Sequence, residues 1–194
     1  MPADHASGLR ADARRNVERL VEVATHVFAE QGPEAPLTEI ARAAGVGTAT
    51  LYRRFPTRQA LLAAVYAGHV GNLVTRAEEL TASPGDPLPA LVVWLHEFAG
   101  LLVEQRVGKG LITGRYEGDA ELFATCWRSL VAAVESLLLP ARQARAILPD
   151  IDAERTLTLV SAIVQVAGQA GNNRDETNYL IDLVISGFRY PDRI

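Results

Sequence analysis

The chain has 194 residues but one cysteine, one methionine and one lysine, and only 6% of it is aromatic. The single thiol, Cys126, excludes an intrachain disulfide framework. The four histidines, His5, His26, His69 and His96, are scattered and form no pair at metal-ligand spacing. No glycine-rich phosphate loop surrounds the sole lysine, Lys109, and no Ser–His–Asp set is evident, so no cofactor and no catalysis are expected. No apolar run approaches the roughly 20 residues of a membrane-spanning helix. The first residues, Met-Pro-Ala-Asp-His, lack the basic-then-apolar order of a secretory signal. The expectation is a soluble, cytoplasmic protein with no membrane partner. Bulk positive charge is also missing: the net charge is −4, which excludes a protein that coats nucleic acid by charge alone.

What is present is apolar and unevenly charged. Hydrophobic residues make up 48%, enough for a sizeable core, and the length suits one large domain or a small one joined to a larger. Residues 1–60 hold eight arginines against seven carboxylates, a net of +1, whereas residues 61–194 carry a net of −5. Only the first segment is electrostatically compatible with phosphate.

Helical periodicity runs almost throughout, and no stretch alternates like a strand, so the fold class is all-α. Val17, Leu20, Val21, Ala24, Val27 and Phe28 mark a first helix that ends at Gly32-Pro33. Pro36 opens a short helix that stops at Gly45. Another short helix spans about Thr48 to Arg54, Pro56 breaks it, and Thr57 caps a long fourth helix that reaches about Leu80. The loop Ser83-Pro-Gly-Asp-Pro87 is the clearest boundary. A fifth helix carries Leu88 to Leu102, and a glycine-rich loop is expected from Gly108 to Gly118. A helix through Leu122 to Leu137, apolar on more than one side, is expected to be central. Asp152 caps the next helix, and the last holds Leu180 to Phe188.

The informative segment is LTEIARAAGVGTATLYRRF, Leu37 to Phe55. Ile40, Ala44, Val46 and Leu51 fall inward, Ala41 is small where two helices cross, and Gly45 suits a turn with positive φ. This is helix-turn-helix spacing, in which the second short helix enters the DNA major groove; an ordinary αα-hairpin is the bland alternative.

From about Arg14 to Leu62 the chain resembles the TetR-type transcriptional regulators. The resemblance rests on Ala24, Phe28, Gly32, Ile40-Ala41, Ala44-Gly45-Val46, Thr50-Leu51-Tyr52, Phe55-Pro56, Arg58 and Leu61. It implies a helix-turn-helix DNA-binding domain over residues 1–60 and a helical ligand-binding and dimerisation domain over 61–194. It also implies DNA contacts: Thr50, Tyr52 and Arg58 to phosphate, and Thr48, Ala49 and Arg53 toward the groove. Hydroxyls and a guanidinium suit phosphate oxygens, and Arg53 is a long donor suited to a guanine edge. Arg10, Arg14 and Arg15 form a basic arm suited to backbone or minor groove, or equally a solvated helix end. The chain departs from the family pattern at Pro36, Thr38 and Gly47, where Thr, Arg and Ser are common. Arg42 is positioned to compensate.

For the remainder, Trp94, Phe98, Tyr116, Phe123, Trp127 and Gln165 are candidate ligand-binding residues for an unknown small-molecule effector, although an aromatic stripe at helical spacing is more often plain core. Val160, Val164, Ala167, Gly168 and Gly171 form a small-residue ridge, and with Leu180, Ile181, Val184 and Phe188 they suggest a homodimer through the last two helices. The expected function is ligand-gated repression from a palindromic double-stranded DNA operator. The rival is a helical small-molecule-binding or adaptor protein that does not bind an operator. A catalytic reading would have only the acidic clusters Asp119/Glu121 and Asp150/Asp152/Glu154, which sit at helix starts where carboxylates favour the helix dipole.

Overall fold

A computed structural model describes residues 3–104, 120–169 and 174–189, with the side chains of residues 3–14, 104, 120, 168 and 169 left out. Among the described residues there are eight helices: α1 Ala3–Gln31, α2 Leu37–Ala43, α3 Thr48–Arg54, α4 Arg58–Ala82, α5 Pro87–Glu104, α6 Ala120–Gln143, α7 Ala153–Gln169 and α8 Arg174–Ser186. The one strand-like feature among them is an isolated antiparallel bridge between Ile147 and Arg189. The expected loop from Gly108 to Gly118 lies outside the described residues.

The chain divides into two compact units, Met1–Gly68 and His69–Ile194. The division falls inside α4, several residues beyond the expected boundary at residue 60. The reason is apolar: Leu61 and Val65 on the first turns of α4 complete the first unit's core.

In the first unit, Leu20, Ala24 and Phe28 of α1 pack with Leu37, Ile40 and Ala41 of α2, Leu51 of α3, and Phe55. The chain reverses where backbone sterics allow it. Gly32 has φ +87° and Gly45 has φ +68°, values that glycine adopts without a Cβ penalty. At Gly45 the Val46 N–H donates to Ala41 O at 3.0 Å and the Gly45 N–H donates to Arg42 O at 3.1 Å, so two orphan carbonyls of α2 are satisfied. Val46 then packs on the core, which sets the entry into α3. The Thr57 hydroxyl accepts the Ala60 N–H at 3.1 Å, capping α4 as its sequence predicts.

In the second unit α5, not α6, is central: it packs against α6, α7 and α8. Leu91, Trp94, Leu95, Phe98 and Ala99 of α5 are buried. Glu97 is the one charged residue between Pro87 and Val103. The long helix α6 instead carries Glu121, Arg128, Glu135 and Arg142 at seven-residue spacing, a polar stripe that needs water. Its opposite side buries Leu130, Val134, Leu137 and Ala141 against α5 and α7, while Leu139 stays 48% exposed. Glu121–Gln143 is long and apolar enough to cross a membrane by length and composition alone, although its inward face is already covered by protein. The Asp152 carboxylate accepts the Arg155 N–H at 2.8 Å and caps α7 as expected.

The ridge expected to face a second subunit faces inward. Val160, Val164 and Ala167 are buried in the second unit, and Gly171 lies outside the described residues. A helix with apolar residues on two sides can offer either to the core, and here α5, α6 and α8 pack against it and cover this one. The other side, with Leu159 and Val166, remains exposed together with Tyr179 and Leu183 of α8.

Candidate nucleic-acid interface

Leu51 sits at the centre of α3 and is fully buried, so it pins that helix to the first unit's core. With Leu51 inward, 3.6-residue periodicity turns Ala49 and Arg53 to the opposite side and Tyr52 to the flank, while Thr48 is the first residue of the helix. All four are exposed, Tyr52 at 46%, and Thr50 is half-buried at the edge. Arg54 is also exposed. Arg42, on the last turn of α2, is exposed as well. Among the described residues no carboxylate pairs with Arg42, Arg53 or Arg54. The result is an exposed helix with two hydroxyls, a phenol and unneutralised guanidinium groups, the chemistry that meets phosphate oxygens and purine edges. The structure thus gathers Arg42, Thr48, Ala49, Thr50, Tyr52 and Arg53 on one short motif. Arg14 lies on α1, but its side chain is outside the described residues.

Arg58 has other partners than those expected of it. Its Nη1 donates to Pro33 O at 2.8 Å and to Ala35 O at 2.5 Å, and its Nε lies 4.0 Å from Glu34 Oε2. The side chain is folded onto the α1–α2 loop, with 25% of its surface exposed. Nothing in the local sequence announces this, because the contact joins residues 23 to 25 positions apart.

The expected ligand residues divide. Trp94 and Phe98 are core: both are buried, their rings stack at 5.8 Å, and the Trp94 indole N–H donates to Leu73 O at 2.8 Å. With its only donor used, Trp94 has no polar group left for a ligand. Phe123, Trp127 and Gln165 are half-buried, and Tyr116 lies outside the described residues. One cavity within the second unit has a volume of about 340 Å³ and is lined by His69, Asn72, Leu73, Arg76, Glu97, Leu101 and Arg174; another, of about 570 Å³, includes Thr81, Ser83, Asp86 and Gln143 in its walls. None of the expected residues lines either. Arg76 bridges Glu97 and Glu79, with each contact 3.1 Å, and these hydrogen bonds push its pKa up. Arg174 lies so close to Gly100 that a Cβ there would collide with its guanidinium. His96 Nε2 lies 2.9 Å from Asp182 Oδ1, within ion-pair distance but outside hydrogen-bond geometry. Burial pushes the Cys126 thiol up, away from the reactive thiolate. No group of three or more potential metal ligands occurs among the described residues.

Comparison with known proteins follows this division. Residues 20–65 match the family model for bacterial regulatory proteins of the tetR family, and residues 86–190 match the C-terminal domain of SbtR-like transcriptional regulators. A TetR transcriptional regulator from Streptomyces coelicolor is similar at 30% identity and TM-score 0.70, covering 91% of this chain and 99% of the other. A TetR regulatory protein from Mycobacterium vanbaalenii is similar at 33% identity and TM-score 0.63, covering 94% and 99%. A γ-butyrolactone receptor, ArpA-like, shares the fold at 19% identity and TM-score 0.60, covering 93% and 91%. No curated protein matches the chain. An exposed second helix in a glycine-turned helical pair and a separate all-helical unit, matched over both parts, lead to one conclusion: the chain belongs to the TetR family of DNA-binding transcriptional regulators.

Proposed function

We propose that this chain is a repressor that holds a two-fold DNA operator as a homodimer and leaves it when a small molecule binds the second unit. The observation that carries the reading is the exposed face of α3, held outward by Leu51 and free of neutralising carboxylates. Thr50 and Tyr52 meet phosphate, and Thr48, Ala49 and Arg53 face the groove, with Arg42 alongside. One helix of this length reads too few bases for useful specificity, whereas two related by symmetry read a palindrome with half-sites about 34–36 Å apart.

The dimer surface is the exposed apolar side of the last two helices. Leu159 and Val166 on α7, and Tyr179 and Leu183 on α8, are 38%, 66%, 62% and 57% exposed. Large apolar groups left in water at helical spacing favour a self-complementary four-helix contact. A Val166→Asp/Leu183→Asp variant is expected to scatter light as a monomer at micromolar concentration; an unchanged mass places the interface elsewhere.

The effector reading rests on the 340 Å³ cavity, a size suited to a small ligand. Its polar walls over buried Leu73 and Leu101 favour an amphipathic ligand with a polar head. A similar fold described as a γ-butyrolactone receptor supports a small-molecule role of this general kind. The ligand acts by preferring the conformation that binds DNA poorly, and a preference of a few kcal/mol suffices. Selection of binding sites from random duplexes tests the whole reading. A two-fold motif bound with strong salt dependence is expected; failure to enrich any sequence favours the helical binding protein without an operator.

A further inference from the structure

We infer that Arg58 serves operator binding as a positioning residue and not as a phosphate contact: it locks the loop between α1 and α2 to the first turn of α4. This rests on the proposed DNA-binding role of α3. A cation at a helix N-terminus opposes the helix dipole, so Arg58 at the first residue of α4 needs compensation. It finds this in the carbonyls of Pro33 and Ala35 and in the Glu34 carboxylate. Neither carbonyl accepts a backbone N–H among the described residues, and Ala35 is 3% exposed. The guanidinium therefore supplies donors that the loop otherwise lacks. The next residue, Pro36, starts α2 without a side-chain cap. Fixing the loop fixes the start of α2, and α2 carries the Schellman turn that launches α3. A lysine does not substitute: both carbonyl bonds leave Nη1, which lies one bond farther along the side chain than a lysine nitrogen, and lysine has no counterpart of the Nε that faces Glu34.

Two readouts decide this. The first uses the intact protein without DNA: backbone hydrogen exchange in wild type, Arg58→Gln and Arg58→Lys. The clamp predicts faster exchange of the Glu34–Glu39 amides in both variants, with thermal unfolding still cooperative; unchanged exchange overturns it. The second measures affinity for the selected duplex by fluorescence anisotropy between about 50 and 200 mM salt. Both variants are expected to bind roughly tenfold more weakly, with the slope of log affinity against log salt unchanged. A lysine variant at wild-type affinity, with the glutamine variant's slope reduced by about one, makes Arg58 a phosphate contact and overturns the proposal. If wild type binds no duplex, the DNA-binding reading fails, and Arg58 has no operator role whatever the exchange result.

Discussion

The two units of this chain obey the same packing rules but differ in how many faces each helix offers. In the first unit the two short helices α2 and α3 each have one buried side, and the turns are marked by glycines at φ +87° and +68°. Once Leu51 and Ile40 are placed inward, the outward set of α3 follows. In the second unit α7 carries apolar residues on two sides: Val160, Val164 and Ala167 inward, Leu159 and Val166 outward. Periodicity names both sides and cannot rank them. The difference teaches that a helix with a single stripe is decoded by its pattern, whereas a helix with two is decoded only by its neighbours.

The largest expected effect tests the second unit. Trp94→Ala is expected to cost about 3–5 kcal/mol in urea unfolding, since it empties a buried ring site and removes the Leu73 carbonyl's indole donor. A loss under about 1 kcal/mol, with effector binding alone altered, makes Trp94 a ligand residue and erases its contrast with the cavity. The first unit is probed next. Arg53→Ala should weaken operator affinity by about 1–3 kcal/mol and relax sequence preference, with unfolding unchanged because the side chain is exposed. Equal losses on all duplexes would instead make Arg53 a backbone contact.

Smaller effects sharpen the comparison. Arg145 follows α6 at φ 56°, where the Ala146 N–H donates to Ala141 O at 2.9 Å and the Arg145 N–H to Arg142 O at 3.0 Å. This is the same turn that Gly45 makes in the first unit, built with a residue that strains in it. Arg145→Gly is expected to stabilise the protein by about 0.5–1 kcal/mol in the same unfolding assay; destabilisation would mean the arginine side chain holds the turn. Cys126 gives the smallest effect. Its folded pKa lies above the free value, so the unfolded chain forms thiolate first and stability is lost as pH rises from that value. Iodoacetamide should therefore label native protein at pH 8 roughly tenfold more slowly than protein in urea, and equal rates would contradict its burial.

Much of the candidate interface was legible because its signals are local. Pro36, Gly45, Gly47 and Pro56 bound α2 and α3, and the expected span of α3, Thr48 to Arg54, is the observed one. Thr57 and Asp152 cap helices as their types predict. What stayed hidden is tertiary. Arg58 reads as a free cation until the fold brings Pro33 and Ala35 beside it. The centrality of α5 over α6 depends on which helices surround each, and the 340 Å³ cavity on a meeting of α4, α5 and α8. Arg145 has no glycine to mark its turn. The aromatic residues were visible, but hydropathy does not distinguish a ring that lines a cavity from one that fills it.

The most direct test of the central claim is methylation interference on the selected operator, read at guanine N7 in the major groove. The account predicts two clusters of interference on one side of the duplex, about 10–10.5 base pairs apart centre to centre, with part of each cluster lost in Arg53→Ala. Interference at a single cluster, or none in the major groove while the protein is bound, would contradict insertion of two α3 helices.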